Sequence, residues 1–463
     1  MGKYCTLLIL FLLSVGKTDA QTAKPNVIVI VVDDAGYADF GCYGGKEIPT
    51  PNIDLLAKNG TLFTNAYVTA SVCAPSRAGL LTGLYQQRFG FEHNTSAKPA
   101  PGYTMKDMGM DVKIPTIGNQ MKANGYKTIA IGKWHQGDEE PYFPLNRGFD
   151  EFYGFVGGHR NFFGYDKTPA REFTLFDNRK AFPESEVTYL TDMFTAKATN
   201  FIQQNKAHPF FMYLAYNAVH VPMNAKKDLV QRFAHLPEGR RAYAAMMTSL
   251  DDGIGKLMQT LKEQHLEKHT LICFINDNGA ATGNYADNGP LRGLKGSKWE
   301  GGIRVAFVMN WPGNVPAGLR YDNMVSSLDI LPTAVTAAGG KYTPNFKADG
   351  KNLIPFINGG NQKPPHDILF WRRGVAAAVR QGDWKLINVA DNPILLFNLK
   401  TDISETTNLA SKNPQKVKAL LHELQQWEKK MDQPHWFSDY GDTNQIMKHK
   451  MEVVGREMEK KYP

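Results

Sequence analysis

The sequence predicts an α/β protein: a large, doubly wound, mainly parallel sheet domain, followed by a smaller C-terminal subdomain of antiparallel sheet plus helix. Three observations carry this prediction. Four short apolar runs are rich in β-branched and aromatic residues, as strands buried on both faces of a parallel sheet are. Helical patterns lie between those runs, and strands alternating with helices imply a doubly wound arrangement. Past residue 360 the pattern changes to short strand-like pieces separated by turns, followed by one amphipathic helix.

Taken in order, residues 1–20 read as a secretory signal. Lys3 gives a positive start, Leu7 to Val15 an apolar stretch, and Thr18-Asp19-Ala20 a small-residue end. That stretch is too short to span a bilayer, and no later segment qualifies. The expectation is an exported protein, periplasmic or secreted, with no membrane span. Roughly 440 residues then remain, more than one compact core usually holds. They divide into an α/β domain over 21–360 and a C-terminal subdomain over 361–463.

The strand-like runs of the first domain are Val27–Val32, Thr128–Ile131, Phe210–Ala215 and Leu271–Ile275, with helices expected over Ile114–Asn124, Tyr189–Asn205 and Arg241–Gln264. A Gly-, Pro-, Asn- and Lys-rich stretch around 340–365 reads as a connector. Beyond it, Asp367–Trp371, Ala376–Arg380, Trp384–Val389 and Leu395–Asn398 read as strands. Gln415–Lys430 places Val417, Leu420, Leu421, Leu424 and Trp427 on one helical face.

Composition narrows the function. The chain carries a net charge of +8, of which the leader supplies one, and this balance suits a polyanionic substrate or surface. No dense Lys/Arg stripe interleaved with aromatics, recognition helix or zinc pattern is present, so nucleic acid is not expected as a partner. Of four cysteines, Cys5 leaves with the leader, and so few are not a disulfide scaffold. Cys273 reads as a buried apolar residue, with a Cys42–Cys273 bridge left open. Asn59-Gly-Thr61 and Asn94-Thr-Ser96 are glycosylation sequons, relevant only in a host that glycosylates.

Each apolar run of the first domain ends abruptly in chemically useful residues. The rim beyond the carboxyl ends of the strands, where such folds bind ligands, would collect Asp33, Asp34, Lys133, His135, His220, Asp277 and Asn278. Asp33, Asp34, Asp277 and Asn278 are an oxygen-only donor set, suited to Ca²⁺ or Mg²⁺ and not to zinc. Adjacent carboxylates at a strand end repel each other unless a cation joins them.

Residues 71–83, Ser-Val-Cys-Ala-Pro-Ser-Arg-Ala-Gly-Leu-Leu-Thr-Gly, add a cysteine at the start of a predicted helix. Pro75 suits the first turn, and the free N–H groups there favour an anion. The residue types alone read as a low-pKa thiol nucleophile. The spacing Cys-x-Pro-Ser-Arg, with Ala-Gly-Leu-Leu-Thr-Gly behind it, resembles the maturation motif of the type I sulfatases. Asp33-Asp34, Gly132-Lys-Trp-His135, His220, Asp277-Asn-Gly279 and Gly293-Leu-Lys-Gly-Ser-Lys-Trp-Glu-Gly-Gly302 follow in the order of the arylsulfatase A-like sulfatases of the alkaline phosphatase superfamily. Trp384-Lys-Leu-Ile and Leu396-Phe-Asn-Leu resemble that family's smaller lobe.

The resemblance implies that Cys73 is oxidised to formylglycine (3-oxoalanine) by a formylglycine-generating or anaerobic sulfatase-maturating enzyme. It also implies one cation, Ca²⁺ ahead of Mg²⁺, held by Asp33, Asp34, Asp277, Asn278 and the modified Cys73. One hydroxyl of the aldehyde hydrate would attack the sulfate ester and expel the alcohol, and loss of a proton from the other would release sulfate. By the same resemblance Arg77 holds the hydrate and Lys133 contacts hydrate and sulfate. His135 accepts the proton at the elimination, while His220 and Lys295 grip sulfate and neutralise the departing alkoxide. The family spacing before Glu-Gly-Gly selects Lys295 over Lys298, which is expected at the surface or substrate rim. Gly158 stands where some relatives have a sulfate-contacting serine, so His159 and Arg160 become candidates for substrate contact.

Export, basic charge and the lack of an apolar lipid-binding segment favour a sulfated carbohydrate: an algal polysaccharide such as carrageenan, or a glycosaminoglycan. Phe370-Trp371-Arg372-Arg373 would offer an aromatic platform and two guanidiniums, Arg372 and Arg373, near the cleft. The alternatives are a broad arylsulfatase, a phosphate mono- or diesterase of the same superfamily, and a non-catalytic sulfated-glycan-binding protein.

Overall fold

Apolar strands with side chains alternating between two faces need cover on both, and that requirement organises the molecule. The structure, a computed structural model, describes residues 24–95, 98–437, 448 and 451. The expected signal at 1–20 and Ser96 of the second sequon lie outside the described residues. The larger lobe holds β1 (Asn26–Val32), β2 (Thr61–Phe63), β3 (Ala66–Tyr67), β4 (Lys127–Lys133), β5 (Glu151–Phe155), β6 (Phe176–Asp177), β7 (Lys180–Ala181), β8 (Phe210–Ala215), β9 (Thr270–Asn276), β10 (Phe307–Asn310), β11 (Leu319–Tyr321) and β12 (Val325–Ser326). Among the described residues its main sheet runs β11-β2-β10-β9-β1-β8-β4-β5-β6-β7, and β3 pairs separately with β12.

The centre of this sheet, β9-β1-β8-β4-β5, is parallel throughout. β10 runs antiparallel to both β9 and β2. Ile28, Ile30 and Val32 of β1 enter the core on one face, while Val27, Val29 and Val31 enter the core on the other. The first core is closed by the Leu190–Asn205 and Glu238–Glu263 helices, the second by Cys73–Thr82, Ile117–Ala123 and Ile330–Ala337. Because the central strands are parallel, the segments that follow β1, β4, β8 and β9 all emerge at one rim.

A four-stranded antiparallel sheet follows: β13 (Ile368–Arg373), β14 (Ala376–Gln381), β15 (Trp384–Val389) and β16 (Leu395–Asn398). Leu369, Trp371, Ala378 and Ile387 pack on Tyr67, Trp299 and Ile303 of the larger lobe. Phe370, Val379, Leu386 and Leu396, on the opposite face, pack on Leu420, Leu424 and Trp427 of the Pro414–Glu428 helix. Phe370 stacks on Trp427 at 5.1 Å, and Trp371 Nε1 donates to the Val68 carbonyl at 2.7 Å. Both rings are therefore core, and neither is the aromatic platform expected beside the cleft. Cys42, Cys73 and Cys273 are free, so no Cys42–Cys273 bridge forms.

A buried ion network ties the small sheet to the larger lobe. Lys385 Nζ lies 2.9 Å from Glu300 Oε1 and 2.8 Å from Glu405 Oε1, all fully buried. Tyr67 Oη donates to Glu300 Oε2 at 2.6 Å, and Glu405 Oε2 accepts from the Glu300 N–H at 2.7 Å. Removing one member leaves buried charge without its partner, so Lys385→Ala should cost about 3–5 kcal/mol in chemical denaturation.

Candidate active site

Asp33 and Asp34 follow β1 directly, where the backbone turns sharply: Asp34 has φ +59°. The turn is tied to its neighbours by Asp33 N–H to Ala218 O (2.9 Å), Val219 N–H to Asp33 O (2.8 Å) and Asp277 N–H to Val32 O (3.0 Å). Cys73 opens the Cys73–Thr82 helix, and its Sγ lies 3.5 Å from Asp33 Oδ1 and 3.9 Å from Asp34 Oδ1. At the end of β4, Gly132 has φ +95°, and a Cβ there would sit 2.0 Å from Ala215 O, so glycine lets the strand reach the rim.

Each carboxylate has its own cationic partner, buried for Lys133 and Arg77 and half-buried for Lys295. Lys133 Nζ donates to Asp33 Oδ2 at 2.6 Å, Lys295 Nζ to Asp34 Oδ1 at 2.7 Å, and Arg77 Nε to Asp277 Oδ2 at 2.8 Å. Arg77 also donates to Lys133 O at 3.0 Å, and Lys295 Nζ lies 2.9 Å from Cys73 Sγ. Burial pushes the Asp33 carboxyl up, but Lys133, His220 and Arg77 outweigh it and hold it well below the usual range. Burial and Asp33 push Asp277 up to about 6 despite Arg77. Burial also pushes the Cys73 thiol up to about 12. The site thus disfavours the thiolate that a low-pKa nucleophile would need.

The histidines are held through their rings. His135 Nε2 lies 3.2 Å from Thr95 O, and its buried Nδ1 has no hydrogen-bond partner among the described residues. With the proton on Nε2 facing a carbonyl, Nδ1 carries the lone pair. Burial holds this ring's pKa well below the ordinary value. His220 Nδ1 faces Val221 O at 2.6 Å, and its Nε2 lies 3.4 Å from Asp34 Oδ2. Burial lowers its pKa to about 4.

Donor atoms of Asp33, Asp34, Cys73 and His220 lie within 4.8 Å of one another. Asp277 Oδ1 accepts from Asp34 N–H at 3.3 Å, and Asn278 Nδ2 donates to Asp34 Oδ1 at 2.7 Å. Asn278 Oδ1 is buried without a hydrogen-bond partner among the described residues. An orphaned acceptor beside three crowded carboxylates fits a hard divalent cation.

The substrate-side expectations divide. His159 is exposed at the rim, its ring 6.3 Å from that of His220 and nearly parallel to it. Arg160 is buried, donating to Glu184 Oε2 at 2.8 Å and to Asn161 O at 3.2 Å, with Nη1 unpartnered among the described residues. Arg372 is likewise spent, on Glu92 Oε1 at 2.5 Å and on Asp432 O at 2.5 Å. Arg373 points to the other face and is buried, with Nε and Nη1 unpartnered among the described residues. Lys298 is buried and not at the surface, whereas Lys295 reaches residue 73.

The segment Glu92-His93-Asn94-Thr95 is a site element that the sequence pattern does not announce. Asn94 Oδ1 accepts from Ala74 N–H at 3.1 Å, and Thr95 holds His135. Its signal is four polar residues directly behind Phe89-Gly-Phe91, which the sequon at Asn94 overshadows. Asn284, whose Nδ2 bonds Asp34 O at 2.8 Å, carries no such signal and also escapes a reading of the sequence.

A doubly wound sheet with a buried acid cluster, a cationic rim and a cysteine at a helix start is the arrangement of a rim-centred hydrolase, and the structural neighbours place it with the sulfatases of the alkaline phosphatase superfamily. The family model described as Sulfatase matches residues 25–340, and the chain belongs to that family of sulfuric ester hydrolases. It is 30% identical to mouse arylsulfatase J over 89% of this chain and 77% of that protein. It is 32% identical to human N-acetylgalactosamine-6-sulfatase over 78% of this chain and 71% of that protein. Among solved structures, Ps i-CgsB in complex with k-i-k-neocarrahexaose superposes with a TM-score of 0.83 at 38% identity, covering 95% of this chain and 100% of that one.

A Cβ on Gly158 would lie 2.7 Å from His135 Nε2, so any side chain there presses on that ring. Gly158→Ser should displace the His135 ring and lower kcat by about 10-fold or more with little change in melting temperature. Steady-state kinetics beside a thermal melt checks this.

Proposed function

We propose that this protein is an exported sulfatase acting on a sulfated carbohydrate, of the carrageenan, other algal-glycan or glycosaminoglycan type. Cys73, matured to formylglycine, supplies the nucleophilic oxygen in this reading. The observation that carries it is the convergence of Lys133, Lys295, His135 and His220 around residue 73, over an oxygen-donor cluster. The 38%-identical structure is a complex with an oligosaccharide, k-i-k-neocarrahexaose, and this supports a carbohydrate over a steroid.

Asp33, Asp34, Asp277, Asn278 and residue 73 would hold Ca²⁺. When bound, the cation favours the deprotonated form of a neighbouring hydroxyl and attracts sulfate oxygens. The remaining work belongs to the chain itself. Arg77, bonded to Asp277 and to the Lys133 carbonyl, fixes the floor of the site. The ammonium groups of Lys133 and Lys295 stand where negative charge gathers on the sulfate oxygens. Nδ1 of His135 is free to take a proton, which matches the release step. Burial works against the Lys295 charge, but Asp34 raises its pKa well above the ordinary value, so the ammonium stays charged beside the leaving group.

Lys295→Ala should abolish turnover, while Lys298→Ala should retain much of it; the reverse outcome in steady-state assays would refute the assignment. Dialysis against a chelator should remove activity and Ca²⁺ should restore it. The decisive experiment is peptide mass spectrometry of residues 60–90 with activity on a broad panel of sulfated oligosaccharides. Loss of the thiol sulfur at Cys73 and turnover of a sulfated glycan are expected. Efficient turnover of simple aryl sulfates alone favours a broad arylsulfatase. An unmodified Cys73 with binding but no turnover favours a glycan-binding protein.

A further inference from the structure

We propose that His93 and Arg373 form a second anion-recognition subsite beside residue 73, which takes an additional sulfate or carboxylate group on the same glycan. This inference rests on the sulfatase reading above and extends it to substrate choice.

Three segments build the place. The loop after the Cys73–Thr82 helix brings Glu92 and His93, anchored by the bond from Ala74 N–H to Asn94 Oδ1. The end of β13 brings Arg373, which shares the sheet face of Trp371, the face packed on the larger lobe. Gln87 Nε2 donates to Arg372 O at 3.0 Å, which pins that strand end to the loop. The segment 431–437 lies over both: Asp432 N–H donates to Gln87 O at 2.9 Å, His435 N–H to Gly90 O at 2.9 Å, and Trp436 Nε1 to Asn94 O at 3.3 Å.

Within this place the polar atoms are not satisfied. His93 is fully buried, and neither ring nitrogen has a hydrogen-bond partner among the described residues. Arg373 is 7% exposed, and its Nε and Nη1 also lack one. Buried donors without partners are rare and costly, and a buried guanidinium without an anion is more costly still.

The carboxylate whose charge acts on Arg373 is Glu92: Arg372 holds its Oε1 through two nitrogens, at 3.1 and 2.5 Å, while its Oε2 is buried with no hydrogen bond to Arg373 or to any other described residue. Burial accordingly lowers Arg373 to about 10 and His93 to about 3, so the ring is neutral and offers one N–H. The bond from Ala74 N–H to Asn94 Oδ1 at 3.1 Å sets the Glu92–Thr95 loop beside the start of the Cys73–Thr82 helix, so the subsite adjoins the reacting sulfate. The charge of Lys298 also acts on His93. An oxyanion would meet the guanidinium and imidazole N–H donors in a dry setting, where charge-assisted bonds are strong. Phe437 is 47% exposed, with its ring 5.5 Å from that of His93, and offers a face for a sugar ring.

The test compares wild type with Arg373→Met, Arg373→Lys and His93→Ala. The probes are a neocarratetraose with one sulfate per disaccharide, one with two, and a monosulfated chondroitin disaccharide carrying a uronate. Affinity is measured on the inactive Cys73→Ser background, and kcat/KM on the matured enzyme. The preference for a doubly anionic over a singly anionic probe should fall about 10- to 100-fold in Arg373→Met and be partly rescued by lysine. Loss on the disulfated probe identifies sulfate as the ligand, and loss on the uronate-bearing probe identifies carboxylate. Arg373→Met should melt no lower than wild type, because it removes an unpaired buried charge. An unchanged preference overturns the subsite. So does a lower melting temperature with equal loss on every probe, which would make Arg373 a structural partner of Glu92. If the wild type turns over no sulfate ester, the sulfatase reading fails, and the binding comparison alone decides the subsite.

Discussion

Three buried carboxylates share the rim of one sheet, and each meets a different cation: Asp33 with Lys133, Asp34 with Lys295, Asp277 with Arg77. Much of the surrounding structure serves this arrangement. Carboxylates this close and this buried cannot all ionise unless opposite charge is supplied at fixed positions. The partners come from a strand end, a loop and a helix, so the pairing holds only if all three elements are in register. A parallel sheet buried on both faces provides that register, because it delivers the ends of β1, β4, β8 and β9 to one place.

The same electrostatics decides what residue 73 can do. A thiol buried among acids is pushed up to about 12, so two nearby lysines do not make it a thiolate. What the site holds well is oxygen: a carboxylate set with an orphaned amide oxygen below, and ammonium donors above. That polarity suits an oxyanion ester bound between a hard cation and lysines, and it is poorly matched to thiol chemistry.

Much of the fold is legible in the sequence, for physical reasons that also mark the limits. β8 and β15 lie where their residue patterns place them, because six-residue runs rich in apolar and aromatic side chains leave little choice of conformation. Strands of two to four residues, such as β2 and β10, are fixed by pairing with β9 and its neighbours, and carry little pattern of their own. At the site, residues at the ends of strong strands are readable, as Asp33, Lys133 and Asp277 show. Adjacent residues on a strand face opposite ways, so the pair Arg372-Arg373 could not both look into one cleft. One is spent on Glu92; the other lies beside His93, which no local pattern marks.

Sulfate and phosphate esters differ in charge at the same geometry, so their comparison probes the balance of acids, cations and metal most directly. The measurement is kcat/KM for a sulfate ester and a phosphate ester of the same alcohol, on the matured, Ca²⁺-loaded enzyme. The sulfate ester is expected to be turned over with the higher kcat/KM. Faster turnover of the phosphate ester would contradict this reading of the site and assign it to phosphoryl transfer.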